Sequence, residues 1–127
     1  MKSTINLSAP MQTVQNILDK TLELEIYLYH WLNDQETPEP MKVKYIQKDL
    51  RQTRAKWLYE YASAEKNTIG QPLAFLLITL SQNKQAELLV ELVCPKHTST
   101  DAAHFLQNVL FPMVRINLEK HVLNQSR

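Results

Sequence analysis

The stretch Leu73-Ala74-Phe75-Leu76-Leu77-Ile78-Thr79-Leu80, followed after Ser81-Gln82-Asn83-Lys84-Gln85 by Ala86-Glu87-Leu88-Leu89-Val90-Glu91-Leu92-Val93-Cys94, decides the fold. It is the most apolar part of the chain and reads as two β-strands joined by a polar turn. Side chains alternate sides along a strand. Ala74, Leu76, Ile78 and Leu80 therefore share one face of the first strand, and Ala86, Leu88, Val90, Leu92 and Cys94 share one face of the second. A turn of Asn83-Lys84 alone would set Leu80 against Glu87 and Leu76 against Glu91. An odd loop, such as Asn83 to Gln85, pairs Leu80 with Leu88, Ile78 with Val90 and Leu76 with Leu92. Because a slip of one residue turns the whole apolar set over, burial selects the odd loop. The other face carries Phe75, Leu77, Leu89 and Val93 between Glu87 and Glu91. That is too apolar to be simply solvated, so it must meet a helix, a partner or a ligand.

Working outward, a second hairpin precedes the first. Met41, Val43 and Tyr45 alternate with Lys42, Lys44 and Ile46, and Trp57, Tyr59 and Tyr61 alternate with Lys56, Leu58 and Glu60. Antiparallel pairing about Arg51 sets Tyr45 across from Trp57, Val43 from Tyr59 and Lys42 from Glu60. Cross-strand aromatic and opposite-charge pairs of this kind each contribute a few tenths to about 1 kcal/mol. Ala62 to Gln71 reads as a polar connection, with Gly70 in a turn before the central hairpin.

The flanks read as helices. Ser8-Ala9-Pro10 suggests a start with Ser8 as N-cap and a proline in the first turn. From Met11 to Leu32, Val14, Ile17, Leu18, Leu22, Leu24, Leu28, Tyr29 and Leu32 fall on one side of a helix. Gln12, Asn16, Asp19, Lys20, Glu23 and His30 fall on the other, with Glu25 a misfit. Thr21 to Leu28 also alternates as a strand does, but that reading leaves Met11 to Lys20 unexplained, so one long helix is expected. Polar, proline-bearing Asn33 to Pro40 ends it. Thr98-Ser99-Thr100-Asp101 supplies caps and a first-turn carboxylate for a second helix, Ala102 to Leu123. Pro112 inside it predicts a kink or restart near Leu110 to Phe111. Asn124 to Arg127 reads as a frayed tail.

The expected fold is α+β and a single domain over 1–127: a four-stranded antiparallel sheet of two hairpins, an N-terminal helix and a kinked C-terminal helix. Both helices on one face would bury Leu76, Ile78, Val90 and Leu92. The 44% hydrophobic and 21% charged content is that of an ordinary soluble globule. No stretch approaches the roughly 20 apolar residues of a membrane span. Met1 to Pro10 lacks the apolar core of a secretory signal. One cysteine cannot form an internal disulfide, which fits a cytoplasmic protein. The single glycine, Gly70, weighs against phosphate-cradling loops, dinucleotide fingerprints and nucleophile elbows, which need several.

Four groups of residues invite a chemical reading. Cys94, His97, Asp101 and His104 are residue types that bind zinc or make a nucleophile pair. The spacing matches no strong pattern, and Cys94 continues the apolar alternation as a small buried hydrophobe. No metal, cofactor or catalytic residue is expected. Between Lys42 and Lys56 lie six cations (Lys42, Lys44, Lys48, Arg51, Arg54, Lys56) against Asp49, a local net of +5. The register above puts Lys42, Lys44, Lys48, Arg54 and Lys56 on one face, where they could neutralise phosphates. Trp57, Tyr59 and Tyr61 lie opposite, however, and the whole chain carries only +1. Asp19, Glu23, Glu25, Asp34, Glu36 and Glu39 face only Lys20, a local −5, so either the molecule is dipolar in a way that suits docking or self-association, or the first helix and the first hairpin compensate each other within the chain. Glu87 and Glu91 flank Leu89 near the spacing of a glycosidase pair, but strand glutamates are far more often solvated.

Ile5-Asn6-Leu7-Ser8-Ala9-Pro10, with Ala103-His104-Phe105-Leu106 and Asn108-Val109-Leu110-Phe111-Pro112-Met113-Val114-Arg115, resembles segments of the SecB-type export chaperones. The resemblance covers about 20 residues. It implies antiparallel strands, a dimer-forming helix, binding of unfolded chains, and a strand over Thr21 to Tyr29. The family's acidic character and second C-terminal helix have no counterpart here. The functional expectation is a non-enzymatic protein that contacts another polypeptide, with a homodimer as one form of that contact. The contact would run through Phe75, Leu77, Leu89, Val93, Glu87 and Glu91. The alternative is a nucleic-acid-binding regulator using the hairpin over 42–56.

Overall fold

A computed structural model describes residues 1–33, 41–51, 53–64, 72–82 and 85–125. The expected terminator over 34–40, the turn at Gly70, the loop residues Asn83 and Lys84, and the last two residues of the tail lie outside them. The central hairpin, β4 (Pro72–Gln82) and β5 (Ala86–Val93), has the register that burial demanded: Leu80 opposite Leu88, Ile78 opposite Val90, Leu76 opposite Leu92. Pairing closes at Gln82 and Ala86, so three residues connect the strands.

The architecture is α+β, but the antiparallel sheet has five strands rather than four, in the order β1-β5-β4-β3-β2. The additional strand is β1 (Lys2–Leu7), which pairs antiparallel with β5 and sets Ile5 opposite Leu88 and Leu7 opposite Ala86. It buries only those two apolar side chains, a short signal that the Ser8-Ala9-Pro10 punctuation overshadowed. Beyond β4 come β3 (Arg54–Ser63) and the edge strand β2 (Met41–Arg51).

The first hairpin exists, but its register differs from the expected one. Val43 pairs with Tyr61, Lys44 with Glu60 and Tyr45 with Tyr59; then a bulge at Ile46 shifts the count, and Lys48 meets Trp57. The extra residue inverts the strand's faces beyond Ile46. Trp57, Tyr59 and Tyr61 stay on the covered side, each 0% exposed.

The expected long helix is two helices, α1 (Met11–Asp19) and α2 (Thr21–Asn33), broken at Lys20, whose ψ of 64° is not helical. Ser8 is not the N-cap: α1 begins after Pro10, without a side-chain cap. Once the helix is interrupted, Leu24, Leu28, Trp31 and Leu32 face the core, while Leu22 and Tyr29, expected on the apolar side, are exposed. Thr21 to Tyr29 is helical, so the strand implied by the chaperone resemblance is absent. α1 packs on β4 and β5, and α2 on β2.

At the C-terminal end, Ser99 caps α3 (Thr100–Phe105) by accepting from the Ala102 N–H at 3.3 Å. Leu106–Leu110 then forms a π-turn, and α4 (Phe111–Gln125) continues, reaching past the expected tail boundary at Asn124. The Phe111 N–H reaches back to the Leu106 carbonyl. A proline ring clashes with the carbonyl four residues earlier and cannot donate to it. The wider turn before Pro112 is how this helix accommodates the residue, and the regular α-helix restarts at Phe111, within the expected Leu110 to Phe111 window. It also serves packing. Ala102, Leu106, Leu110, Val114, Leu118 and Val122 are all buried at four-residue steps. Such a stripe drifts about 40° per step around a regular α-helix, and the wide turn pulls it back toward the core. α4 packs on α1 and α2, and Arg115 Nε donates to Ser3 Oγ of β1 at 2.8 Å. Among the described residues no helix is long and apolar enough to cross a membrane.

Candidate functional site

The buried side chains of the helices form one cluster with Ile5, Leu7, Met41, Val43, Trp57, Tyr59, Leu76, Ile78, Leu88, Val90 and their neighbours on a single sheet face. None of Phe75, Leu77, Leu89, Val93, Glu87 and Glu91 belongs to that cluster. They occupy the opposite face, as strand alternation required.

The registers of β3, β4 and β5 set this face out in rows. Glu87, Ser81 and Arg54 form one; Leu89, Thr79 and Lys56 the next; then Glu91, Leu77 and Leu58; then Val93, Phe75 and Glu60. Leu58, Phe75, Leu77 and Leu89 are half-buried, and Val93 is 56% exposed. Thr79, in the middle, is only 4% exposed, shielded by Leu89 and Lys56 on either side. The six expected contact residues are thus gathered on one surface. Sequence reading missed Leu58, which sits directly opposite Leu77 and completes the apolar patch. Its alternation with Lys56 and Glu60 was visible, but its neighbour on β4 was not.

Charge borders the patch unevenly. Acids line the β5 side, where Lys2 Nζ comes within 3.8 Å of Glu91 Oε2. Cations line the β3 and β2 side: Arg54 and Lys56 on β3, and Lys42 and Lys44 on β2, where Lys44 pairs with Glu60. The bulge corrects one expected cation. Lys48 lies across from Trp57 on the helix side, with Nζ 3.3 Å from Asp19 Oδ1, so it does not join the other four. That oxygen is buried and makes no aligned hydrogen bond, so the contact is an ion pair. Arg51, Arg54 and Lys56 line a depression with Asp49 at the hairpin tip, where Arg51 Nε is 3.4 Å from Asp49 Oδ2.

Cys94, His97, Asp101 and His104 do not converge. His97 Nε2 donates to the Pro72 carbonyl at 2.9 Å, and Thr98 Oγ1 donates to Leu73 at 2.7 Å, so both side chains pin the loop to the start of β4. His104 is engaged with Asn108, whose Nδ2 is 3.1 Å from Nδ1. Asp101 is exposed. Cys94 and His104 share a shallow groove with Gln107 and Asn108 of the π-turn. Burial pushes the Cys94 thiol up, against a smaller opposing effect from a Gln107 hydrogen bond, and a raised thiol is a poorer nucleophile at neutral pH. Among the described residues no three His, Cys, Asp or Glu side chains are placed to hold a metal ion.

Two other titrating sites lie in the packing. Burial raises the pKa of Tyr59 and Tyr61, with Glu25 adding to the effect at Tyr59. Burial lowers His121, which stacks on Tyr27 with ring centroids 4.6 Å apart. Compared with family models, with curated proteins and with solved structures, the chain matches none.

Proposed function

We propose that the protein is a non-enzymatic binding module that holds another polypeptide against its open sheet face, as a chaperone, adaptor, or immunity- or inhibitor-like partner. The observation that carries this reading is the patch of Leu58, Phe75, Leu77, Leu89 and Val93 on a face outside the helix-covered core. Covering such a patch with apolar side chains supplies affinity, at about 25 cal/mol per Å² removed from water. Its flanks, acidic on one side and basic on the other, select and orient the partner. A reducing compartment, the cytoplasm, belongs to this reading, because Cys94 is the sole cysteine and is free.

The test compares wild type with Leu77→Asp and Leu89→Asp by light scattering, native mass spectrometry and circular dichroism. A polypeptide held in the wild-type complex should be lost from both variants while their folded signal persists. If both variants simply unfold, the face is core and the reading fails. Nucleic-acid binding is a second reading, favoured by Lys42, Lys44, Arg54 and Lys56 sharing the open face. It requires salt-sensitive binding that Lys44→Glu with Lys56→Glu abolishes.

A further inference from the structure

We infer that the depression at the β2–β3 hairpin tip is a site for a dianionic phosphate group, borne by a small molecule or by a phosphorylated side chain. The inference does not depend on what covers the apolar patch. It starts from a like-charge pair. The ladder ends with Arg51 directly opposite Arg54, so the two side chains leave the same face with Cβ atoms about 5 Å apart. Lys56 follows Arg54 two residues on, on that same face and about 6.6 Å along the strand. Like charges directly opposite destabilise a sheet. An anion held between them turns that repulsion into attraction.

The negative charge at hand falls short. Arg51, Arg54, Lys56 and Asp49 line the depression, which leaves two positive charges in excess. Asp49 is Lys56's cross-strand neighbour and is engaged with Arg51, its Oδ2 3.4 Å from Nε. Glu87 shares the row of Arg54 but stands two strands off, with Ser81 between them. That is about 10 Å across the sheet, and among the described residues no ion pair joins the two. A phosphate monoester carries about −1.5 to −2 at neutral pH and three acceptor oxygens. Each link of a nucleic-acid backbone carries a single negative charge, so the excess matches the monoester. Guanidinium forks suit it as well, because each offers paired N–H donors to two phosphate oxygens. Arg51 and Arg54 supply such forks from two strands, and Lys56 adds a point charge. The hollow measures about 100 Å³, a size for one phosphate group.

The experiment is an amide NMR titration of the full chain with inorganic phosphate at constant ionic strength. Saturable shifts are expected at Arg51, Arg54 and Lys56, with a Kd of about 1 mM or tighter. Arg51→Gln and Arg54→Gln should each raise that Kd about tenfold. Neither should lower Tm in phosphate-free buffer, because each removes one of two repelling charges. A purely structural role would do the reverse, lowering Tm and sparing phosphate binding. Lys120→Gln deletes the same charge from the exposed side of α4 and should leave Kd unchanged, which separates a site from net charge. A phosphoserine peptide with flanking leucines identifies the source. Binding tighter than that of inorganic phosphate marks a phosphorylated polypeptide, and binding no tighter marks a small molecule; both uphold the site. Shifts that do not saturate, arginine variants that bind normally, or an equal loss in Lys120→Gln would each overturn the inference. So would an oligonucleotide without a terminal phosphate that shifts the same amides and resists displacement by phosphate.

Discussion

Tyr61→Phe deletes one oxygen from the centre of the helix-covered face. Tyr61 is 0% exposed, and its hydroxyl has no hydrogen-bond partner among the described residues. A buried, unsatisfied polar group costs about 1–3 kcal/mol. The phenyl ring keeps nearly all the apolar contact of the tyrosine. The variant should therefore be more stable by about 1 kcal/mol. Unfolding entropy is about 2.1 cal/mol/K per residue, so over this chain that gain raises Tm by about 4 °C. Urea unfolding with an unchanged m-value would confirm that stability, and not compactness, has moved. The alkaline limb provides a second readout. Burial holds the folded-state pKa of Tyr61 above its ordinary 10.0. The unfolded chain therefore releases this proton from about pH 10 while the folded chain keeps it. Stability contributed by the protonated form is complete below pH 10 and falls by about 1.4 kcal/mol per pH unit above it. Tyr59 behaves in the same direction. Tyr61→Phe should remove one tyrosine's share of that slope. A variant destabilised by more than about 1 kcal/mol, with an unchanged alkaline limb, would refute the reasoning by showing a bonded hydroxyl.

Lys48→Ala should cost about 0.5–1 kcal/mol, because its ion pair with Asp19 is about one-third exposed, and a double-mutant cycle with Asp19→Asn should recover the coupling. Lys44→Ala, on the open face, should stay within about 0.5 kcal/mol of wild type. Burial depresses the folded-state pKa of His121, so its stabilising contribution is present above the unfolded value of 6.5 and is lost as pH falls below it. His121→Gln should flatten the thermal stability profile as pH falls below 6.5, and an unflattened profile would place the acid-sensitive group elsewhere.

What the sequence revealed, and what it hid, follows from how many side chains vote on each feature. The β4–β5 register was legible because a slip exposes an entire apolar row, and the placement of Phe75, Leu77, Leu89 and Val93 on the opposite face came with it by parity. Two apolar side chains, Ile5 and Leu7, were too few to announce β1. The bulge at Ile46 was hidden because Tyr45-Ile46-Gln47 contains no glycine or proline, and with it went the true side of Lys48. The break at Lys20 is likewise unpunctuated; the misfit of Glu25 was its trace, since that side chain ends half-buried and near enough to Tyr59 to act on it. Pro112 announced an irregular helix, but not that the turn before it would widen. Leu58 needed the β3–β4 register, which depends on where two hairpins meet. No turn rule supplies that.

The strand order also bears on how the molecule comes into being. β1 leaves the ribosome well before the neighbour it needs, for Met1 donates its hydrogen bond to Leu92 across 91 residues of chain. Until that late strand emerges, Ile5 and Leu7 have no surface to cover them, and closing so long a loop is slow. The completing step of the sheet is therefore a long-range capture, and the nascent protein spends its early life with a sticky N-terminal ribbon unclaimed.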